Sequence, residues 1–278
     1  MSISVRRLLK ISRPRFWLYV FGPYVLGCAA AIGTHIDRID WMTVVYAVFF
    51  TFPANLLIYG VNDIFDYETD KDNPKKQGYE ALVMPTEHVP LRNAIMVVTI
   101  PFLCLMLQVP LSAWVAIMGF LGFSIFYSAE PIRAKARPFI DSIFNILYIF
   151  PALFGFFLMG GTHVSWMYVL AGCLWCMAMH AYSAVPDIAV DRAQDIATIA
   201  TRLGASRTLM LCGAFYAFAG VLASVAGLGV IASVLAMVYV ILIGISLRTS
   251  PHALHAVYRY FPFINAVAGF TLFVAILG

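Results

Sequence analysis

Long runs of apolar residues, separated by short polar stretches, dominate this chain. A bilayer core about 30 Å thick is crossed by roughly 20 apolar residues in a helix. Runs of about that length predict nine transmembrane helices, at residues 15–34, 41–61, 93–109, 111–129, 140–160, 165–185, 208–228, 230–247 and 262–277. Pro101 and Pro110 interrupt the stretch that holds the third and fourth of these, and Gly227 and Gly229 separate the seventh from the eighth. The pattern therefore predicts an all-α, polytopic membrane protein, with one integral-membrane domain over residues 1–278.

Composition supports the same class of protein. Hydrophobic residues make up 62% of the 278 residues and charged residues only 12%, which is more apolar surface than a soluble core of this length buries. The basic N-terminus and the apolar run ending near Cys28 also fit a cleaved signal peptide or a lipoprotein signal. Because the run continues for a full span and further spans follow, a membrane helix is favoured. The pair Cys173 and Cys176 lacks the second pair of ligands that a zinc site needs, so packing is its expected role.

Basic residues collect on one predicted side of the membrane. With a cytoplasmic N-terminus, alternation of the loops places 17 of the 18 Lys and Arg residues in the cytoplasm and leaves only Arg38 opposite. One helix more or fewer would scatter the later loops, so the asymmetry supports both the orientation and the count of nine. We therefore expect a cell-membrane protein whose C-terminus lies on the opposite side. Twelve of the 14 Asp and Glu residues also fall on the cytoplasmic side, although acids contribute little to this rule.

An acidic motif follows the second predicted helix at the cytoplasmic surface. It reads Asn62-Asp63-x-x-Asp66-x-x-x-Asp70. Residues three or four positions apart lie on the same face of a helix, so these side-chain oxygens converge. Stacked carboxylates repel one another by about 0.2–0.5 kcal/mol per pair. A cation is therefore expected beside them.

A second acidic motif follows the sixth predicted helix, where Asp187, Asp191 and Asp195 repeat the four-residue spacing. Mg²⁺ takes oxygen ligands and is commonly held by one or two carboxylates plus substrate phosphates. Two such patches facing each other would hold two or more Mg²⁺ ions with a diphosphate between them. The candidate metal ligands are Asp63, Asp66, Asp70, Asp187, Asp191 and Asp195. Candidate contacts to phosphate oxygens are Arg133, Lys135, Arg137 and Arg192.

Other interpretations explain less of this pattern. Solvated surface acids account for either motif alone, but not for two of matching spacing on one side. Ca²⁺ binding or divalent-cation transport also uses membrane acids, yet transport predicts them deep within helices, whereas these lie at helix ends. A purely structural membrane protein explains neither motif. Ionisation of a diphosphate to give an allylic carbocation would use both motifs and the basic residues.

The two motifs on a nine-helix membrane protein resemble the UbiA prenyltransferase superfamily. The resemblance covers nearly the whole chain, and the first motif matches the family pattern without a departure. It implies helices around a central cavity and two Mg²⁺–diphosphate half-sites, one formed by Asn62, Asp63, Asp66 and Asp70 and the other by Asp187 and Asp191. These six residues are the catalytic candidates. The resemblance also implies prenyl-diphosphate binding by Tyr127 and Lys135, in the segment Tyr-Ser-Ala-Glu-Pro-Ile-Arg-Ala-Lys.

Within the superfamily, residues 12–19, 135–142 and 186–204 are most similar to the lycopene elongases of carotenoid biosynthesis. That similarity implies transfer of dimethylallyl groups from their diphosphate to lycopene, in some members with hydration. Asp195 stands where Gly is common in the family and Glu130 where Pro is common. Both a metal ligand and a surface residue remain open for Asp195.

A prenyltransferase with an aromatic acceptor, such as a quinone or chlorophyll precursor, is the alternative. It needs polar groups to orient a hydroxyl or carboxylate, and His180 and Arg137 are candidates. A divalent-cation transporter is a remote alternative. In each enzymatic interpretation the partners are a prenyl diphosphate, a lipophilic acceptor and the lipid bilayer, and no nucleic acid is expected.

Three further polar residues lie in or near predicted helices. His180 and Asn145 are intramembrane positions, which indicate either function or interhelical hydrogen bonding. Asp141, near a helix start, is expected to cap a helix or to occupy its first turn. Tyr59 and Tyr182 lie near the motif ends, where packing or an interfacial position is the expected role.

Overall fold

The computed structural model describes residues 3–71, 76, 80–250 and 253–278. The regular elements in these ranges are all helical, as the apolar pattern predicts. The chain divides into two compact units, one comprising Met1–Arg133 with Phe150–Gly161 and the other Ala134–Ile149 with Thr162–Gly278. One integral-membrane domain over 1–278 stays a prediction.

Aromatic side chains form the core of the first unit. Tyr24, Tyr46, Phe50 and Phe154 are almost fully buried. The rings of Tyr46 and Phe154 lie 4.5 Å apart, and those of Tyr24 and Phe50 lie 5.0 Å apart. The Tyr24 hydroxyl donates to the carbonyl of Thr43 at 2.7 Å, which satisfies its polar end within the apolar core. The α-helices described for this unit are Val5–Ile11, Leu18–Ile32, Trp41–Phe49, Phe52–Phe65, Tyr67–Asp70, Pro85–Leu105, Leu111–Phe126 and Phe150–Leu158.

Two helices of this unit, Leu18–Ile32 and Phe150–Leu158, pack backbone against backbone. A Cβ atom added at Gly27 would lie 1.9 Å from the carbonyl oxygen of Ala152, and one at Gly155 would lie 2.5 Å from that of Tyr24. Small residues at helix contacts in membranes permit such close approach. The absence of a side chain at Gly27 is therefore a packing requirement.

Gly27→Val is expected to lower the free energy of unfolding by about 2–3 kcal/mol, because the added carbons push the two helix backbones apart. The matched control is Gly122→Val in the helix Leu111–Phe126, where an added Cβ meets nothing within 4 Å. Thermal unfolding of both variants in detergent, followed by intrinsic fluorescence, measures the difference. Equal melting temperatures would contradict the close contact.

Buried tyrosines organise the second unit. The rings of Tyr216 and Tyr239 stack with centroids 4.6 Å apart, and the Tyr239 hydroxyl donates to Asn265 Oδ1 at 2.9 Å. The hydroxyls of Tyr182 and Ser246 form a buried hydrogen bond of 2.8 Å. These contacts join helices that are far apart in sequence. The α-helices described for this unit are Ile140–Phe144, Trp166–Ala184, Ile188–Ala193, Ile199–Leu203, Ala205–Ala223, Gly229–Arg248, Leu254–Tyr258 and Phe261–Leu277.

Seven helical segments within the described ranges are long and apolar enough to cross a membrane, which confirms a multi-pass membrane protein. One of them, Ala205–Arg248, contains two of the predicted spans. The chain turns there at Gly227 (φ 134°) and Gly229 (φ 53°), which interrupt the helix without a long loop. The predicted span 111–129 corresponds to the shorter apolar helix Leu111–Phe126. The count of nine therefore stays a prediction.

Candidate active site

The first acidic motif lies where the helix Phe52–Phe65 ends. Asp66 is the residue directly after this helix, and the short helix Tyr67–Asp70 follows it. The backbone N–H of Asp66 donates to the Asn62 carbonyl at 3.0 Å, and that of Asp70 donates to the Asp66 carbonyl at 2.8 Å. The four-residue spacing therefore holds across the junction, although the motif does not lie on one continuous helix.

Asn62 orients the carboxylate of Asp66. Its Nδ2 donates to Asp66 Oδ2 at 2.5 Å and to Ser128 Oγ at 2.9 Å. Asp66 is only 3% exposed, although it lies at a helix end. The amide thus links the first motif to Ser128, the residue that follows Tyr127 in the chain.

Two cations share the carboxylate of Asp63, which is 2% exposed. Its Oδ1 accepts hydrogen bonds from Arg13 Nη2 at 2.9 Å and from Lys76 Nζ at 2.5 Å. Lys76 also pairs with Asp70 Oδ2 at 2.7 Å and is itself 6% exposed. The positive charge that closely spaced carboxylates require is therefore supplied in part by the protein's own side chains.

Arg13 is held in place from several directions. Its backbone is left-handed (φ 50°), and its guanidinium lies 4.6 Å from the centre of the Tyr59 ring. It also pairs with Glu80 at 3.2 Å. Burial favours the neutral form of the guanidinium, but the charges of Asp63 and Glu80 outweigh this effect and raise the pKa of Arg13 above its ordinary value. Arg13 is therefore charged throughout the physiological pH range.

The second acidic motif surrounds the short helix Ile188–Ala193. Asp187 is the residue before the helix, and its carbonyl accepts the backbone N–H of Asp191 at 2.9 Å. Both side chains are half-buried. Asp187 and Asp191 are thus one helical turn apart, as the spacing predicts.

Asp195 does not continue this helical repeat. The helix ends at Ala193, and Asp195 adopts a left-handed backbone (φ 54°), a conformation that Asp tolerates better than most residues. Its exposed side chain lines a surface pocket of about 290 Å³ together with Arg192, Thr201 and Arg202. The expectation that Asp195 repeats the helical arrangement of Asp187 and Asp191 is therefore wrong. Its role as a metal ligand stays a prediction.

The five residues predicted to bind diphosphate are distributed over both units. Tyr127 and Arg133 belong to the first unit and are half-buried. The Nε atom of Arg133 is buried and has no hydrogen-bond partner within the described ranges of the chain. Lys135, Arg137 and Arg192 belong to the second unit. Lys135 is half-buried, whereas Arg137 and Arg192 are exposed. Their binding to diphosphate remains a prediction.

The side chains of the first motif suit a divalent cation such as Mg²⁺. Each offers oxygen, the ligand that hard cations prefer. Asp63 Oδ2 is buried and has no hydrogen-bond partner among the residues that the structure describes. One oxygen of Asp63 is thus bound by the side chains of Arg13 and Lys76, and the other is left for a ligand. Among the residues for which the structure gives positions, no three His, Cys, Asp or Glu side chains form a group that could hold a metal ion by themselves. Mg²⁺ commonly combines one or two carboxylates with substrate phosphates.

Sequence reasoning missed the roles of Arg13, Lys76 and Glu80. It counted the two basic residues as charges that orient the protein in the membrane, used Arg13 further only within the segment 12–19 of the family resemblance, and did not single out Glu80. Arg13 lies 50 positions before Asp63, so no local spacing connects them. Lys76 follows Asp70 by only six positions, and that proximity was an available signal.

These observations define a class of protein: a multi-pass membrane protein with two aspartate motifs at helix ends, the first of which binds basic side chains. The chain belongs to the UbiA prenyltransferase family, whose model matches residues 20–274. It is therefore a membrane prenyltransferase, which confirms the resemblance found in the sequence.

Individual relatives agree with this assignment. A lycopene elongase/hydratase of Halobacterium salinarum is 36% identical over 269 residues, which cover 96% of each chain. A lycopene elongase/hydratase of Haloferax volcanii is 35% identical over 94% of this chain and 85% of its own. A solved structure of a UbiA homolog from Archaeoglobus fulgidus bound to DMAPP and Mg²⁺ has a TM-score of 0.72 and 19% identity, and covers 97% of this chain and 98% of its own. This last likeness shows the fold.

Proposed function

We propose that this protein transfers the prenyl group of dimethylallyl diphosphate to lycopene in carotenoid biosynthesis. The observation that carries prenyl transfer is the first motif, in which buried carboxylates, an uncommitted oxygen of Asp63 and two cations meet at the end of a membrane helix. The acceptor is supported by the similarity to lycopene elongase/hydratases over nearly the full length of both chains. The donor is supported by the solved homolog bound to DMAPP and Mg²⁺.

In the ionisation of the donor, one set of side chains would hold Mg²⁺ and another would bind the diphosphate. Asp63, Asp66 and Asp70 of the first motif, and Asp187 and Asp191 of the second, would hold Mg²⁺, with Asp195 as a further candidate ligand. Mg²⁺, when bound, supplies positive charge that stabilises the departing diphosphate. The candidate residues that bind its oxygens directly are Tyr127, Arg133, Lys135, Arg137 and Arg192.

The chemistry that follows is carbon–carbon bond formation. The C–O bond of the donor breaks, and its electron pair leaves with the diphosphate. A terminal double bond of lycopene attacks the allylic cation, and the resulting tertiary cation either loses a proton or captures water. Aromatic side chains would stabilise the cation by about 0.5–2 kcal/mol each through cation–π contact.

The distribution of charge supports an orientation with the N-terminus and both acidic motifs at the cytoplasmic face of the cell membrane. On this orientation 17 of the 18 Lys and Arg residues are cytoplasmic. The donor is a charged, water-soluble diphosphate and would reach the motifs from the cytoplasm, whereas the acceptor would arrive through the lipid.

The direct test supplies the purified protein with dimethylallyl diphosphate, lycopene and Mg²⁺ and analyses the products by mass spectrometry. We expect one or two five-carbon units to be added to lycopene, and the reaction to stop when the metal is chelated. Additional water in the product would identify a hydratase step. Transfer to a quinone precursor but not to lycopene would replace the proposed acceptor, and no transfer to either would refute the proposal.

A further inference from the structure

Asp141 is a buried carboxylate that takes no part in the proposed chemistry. It lies in the short helix Ile140–Phe144 of the second unit and is 0% exposed. Carboxylates are almost never fully buried without partners that compensate for the loss of water. The contacts of this side chain therefore indicate its role.

Asp141 binds the start of another helix. Its Oδ2 accepts the backbone N–H of Ile199 at 2.8 Å, and His180 Nε2 lies 3.4 Å from the same oxygen. Ile199 is the first residue of the helix Ile199–Leu203, and the first N–H groups of a helix have no partner within it. Asp141 supplies that partner. Asp141 occupies the first turn of its own helix, which confirms one of the two expectations, and it binds the first N–H of a second helix as well.

The helix that Asp141 holds is tied to the second acidic motif by one hydrogen bond, and the segment directly before the helix is tied to it by another. Arg192 Nη2 donates to the carbonyl oxygen of Thr201 at 3.1 Å. The backbone N–H of Ile196 donates to the carbonyl of Asp191 at 2.9 Å. A displacement of the helix Ile199–Leu203 would therefore move the acceptor that holds Arg192 and the segment that holds Asp191.

We propose that Asp141 is a positioning residue for the second motif, and that by fixing Ile199 it holds the Thr201 carbonyl in the place that orients Arg192 for diphosphate. The role rests on the proposed function, because it gives Arg192 a phosphate to bind. Asp141 itself does not touch the diphosphate. Its effect reaches the ligand through one short helix and one guanidinium.

The test measures binding of inorganic diphosphate with Mg²⁺ to the full chain in detergent by titration calorimetry. Asp141→Ala removes the acceptor and is expected to raise the Kd about 10-fold or more, as the loss of groups that orient ligands commonly does. Asp141→Asn keeps an oxygen that accepts the Ile199 N–H and is expected to bind nearly as tightly as the wild type. In the transfer reaction, Asp141→Ala is expected to raise KM for the donor more than it lowers kcat.

The backbone N–H of Ile199, which donates the hydrogen bond to Asp141, gives an independent test should Asp141→Ala fail to fold. Ile199→Pro removes this N–H and is compatible with the local backbone, since proline is tolerated at the first position of a helix and Thr198 before it is already extended (φ −107°, ψ 168°). Ile199→Val keeps the N–H and is the matched control for the altered side chain. The proline variant is expected to weaken binding as Asp141→Ala does, and the valine variant to leave it unchanged.

A buried hydrogen bond elsewhere in the second unit controls for lost stability alone. Tyr239→Phe removes the bond to Asn265 and is expected to lower the melting temperature without weakening diphosphate binding. If Asp141→Ala or Ile199→Pro behaves like Tyr239→Phe, or if Asp141→Asn is as weak as Asp141→Ala, the positioning role is overturned. The effect of Asp141→Ala on diphosphate binding should also disappear when Arg192 is replaced by Gln. If the two substitutions instead weaken binding additively, the positioning role is overturned. A wild type that binds no diphosphate would refute the proposed function itself, and this role with it.

Discussion

Replacing Asp66 by asparagine is expected to lower the rate of prenyl transfer at least 100-fold while the protein still folds. Asn62 holds the Asp66 carboxylate in one orientation, and only 3% of the residue is exposed, so the position has little freedom to adapt. The substitution preserves the size of the side chain but removes its negative charge, and with it a strong ligand for Mg²⁺. Loss of one well-placed electrostatic group commonly costs about 10²–10³-fold in kcat.

The matched control is Glu68→Gln, two positions away. Glu68 is an acid of the same segment, but its side chain is 78% exposed and pairs with the exposed Lys71, three positions on. Such surface pairs contribute about 0–1 kcal/mol, so transfer activity should stay within a few-fold of the wild type. Steady-state product formation at saturating donor measures both variants. Similar losses in the two would show that the segment needs general negative charge rather than the Asp66 ligand.

The sequence predicts the helical fold and the local geometry of the motifs because both depend on periodicity. Asn62, Asp66 and Asp70 recur every four residues, and backbone hydrogen bonds maintain that spacing even where the helix is interrupted. Asp195 shows the limit of this reasoning. It has the same spacing from Asp191, yet the helix ends before it, and no Gly or Pro in the sequence marks that end.

Contacts between segments that lie far apart in the sequence could not be predicted, for a different reason. Arg13 and Asp63 meet because two helices pack in one unit, and the distance of 50 positions between them carries no signal. Asp141 and Ile199 are likewise 58 positions apart. The glycines at 27 and 155 mark a close helix contact only once their partners are known. Tertiary packing therefore determines which of many polar residues become part of the site.

Replacing Asp63 by alanine is expected to destabilise the first unit as well as to abolish transfer. Arg13 and Lys76 both bind Asp63 Oδ1, and neither cation has much access to water. Removing one partner of a buried ion pair commonly costs about 3–5 kcal/mol, because it leaves a buried charge uncompensated. Glu80 and Asp70 remain beside the two cations, so we expect the lower part of that range, about 3 kcal/mol. Thermal and denaturant unfolding in detergent measure the loss.

The double variant Asp63→Ala with Lys76→Met separates stability from catalysis. Methionine is close in length to lysine but carries no charge, so the second substitution removes one of the cations that the first leaves without its anion. We expect the double variant to be more stable than Asp63→Ala alone, with a coupling of about 1–3 kcal/mol in the double-mutant cycle. Transfer activity should not recover, because the metal ligand and a nearby cation are both absent. Additive losses of stability would instead show that Asp70 alone compensates the charge of Lys76, and that Arg13 is the main partner of Asp63.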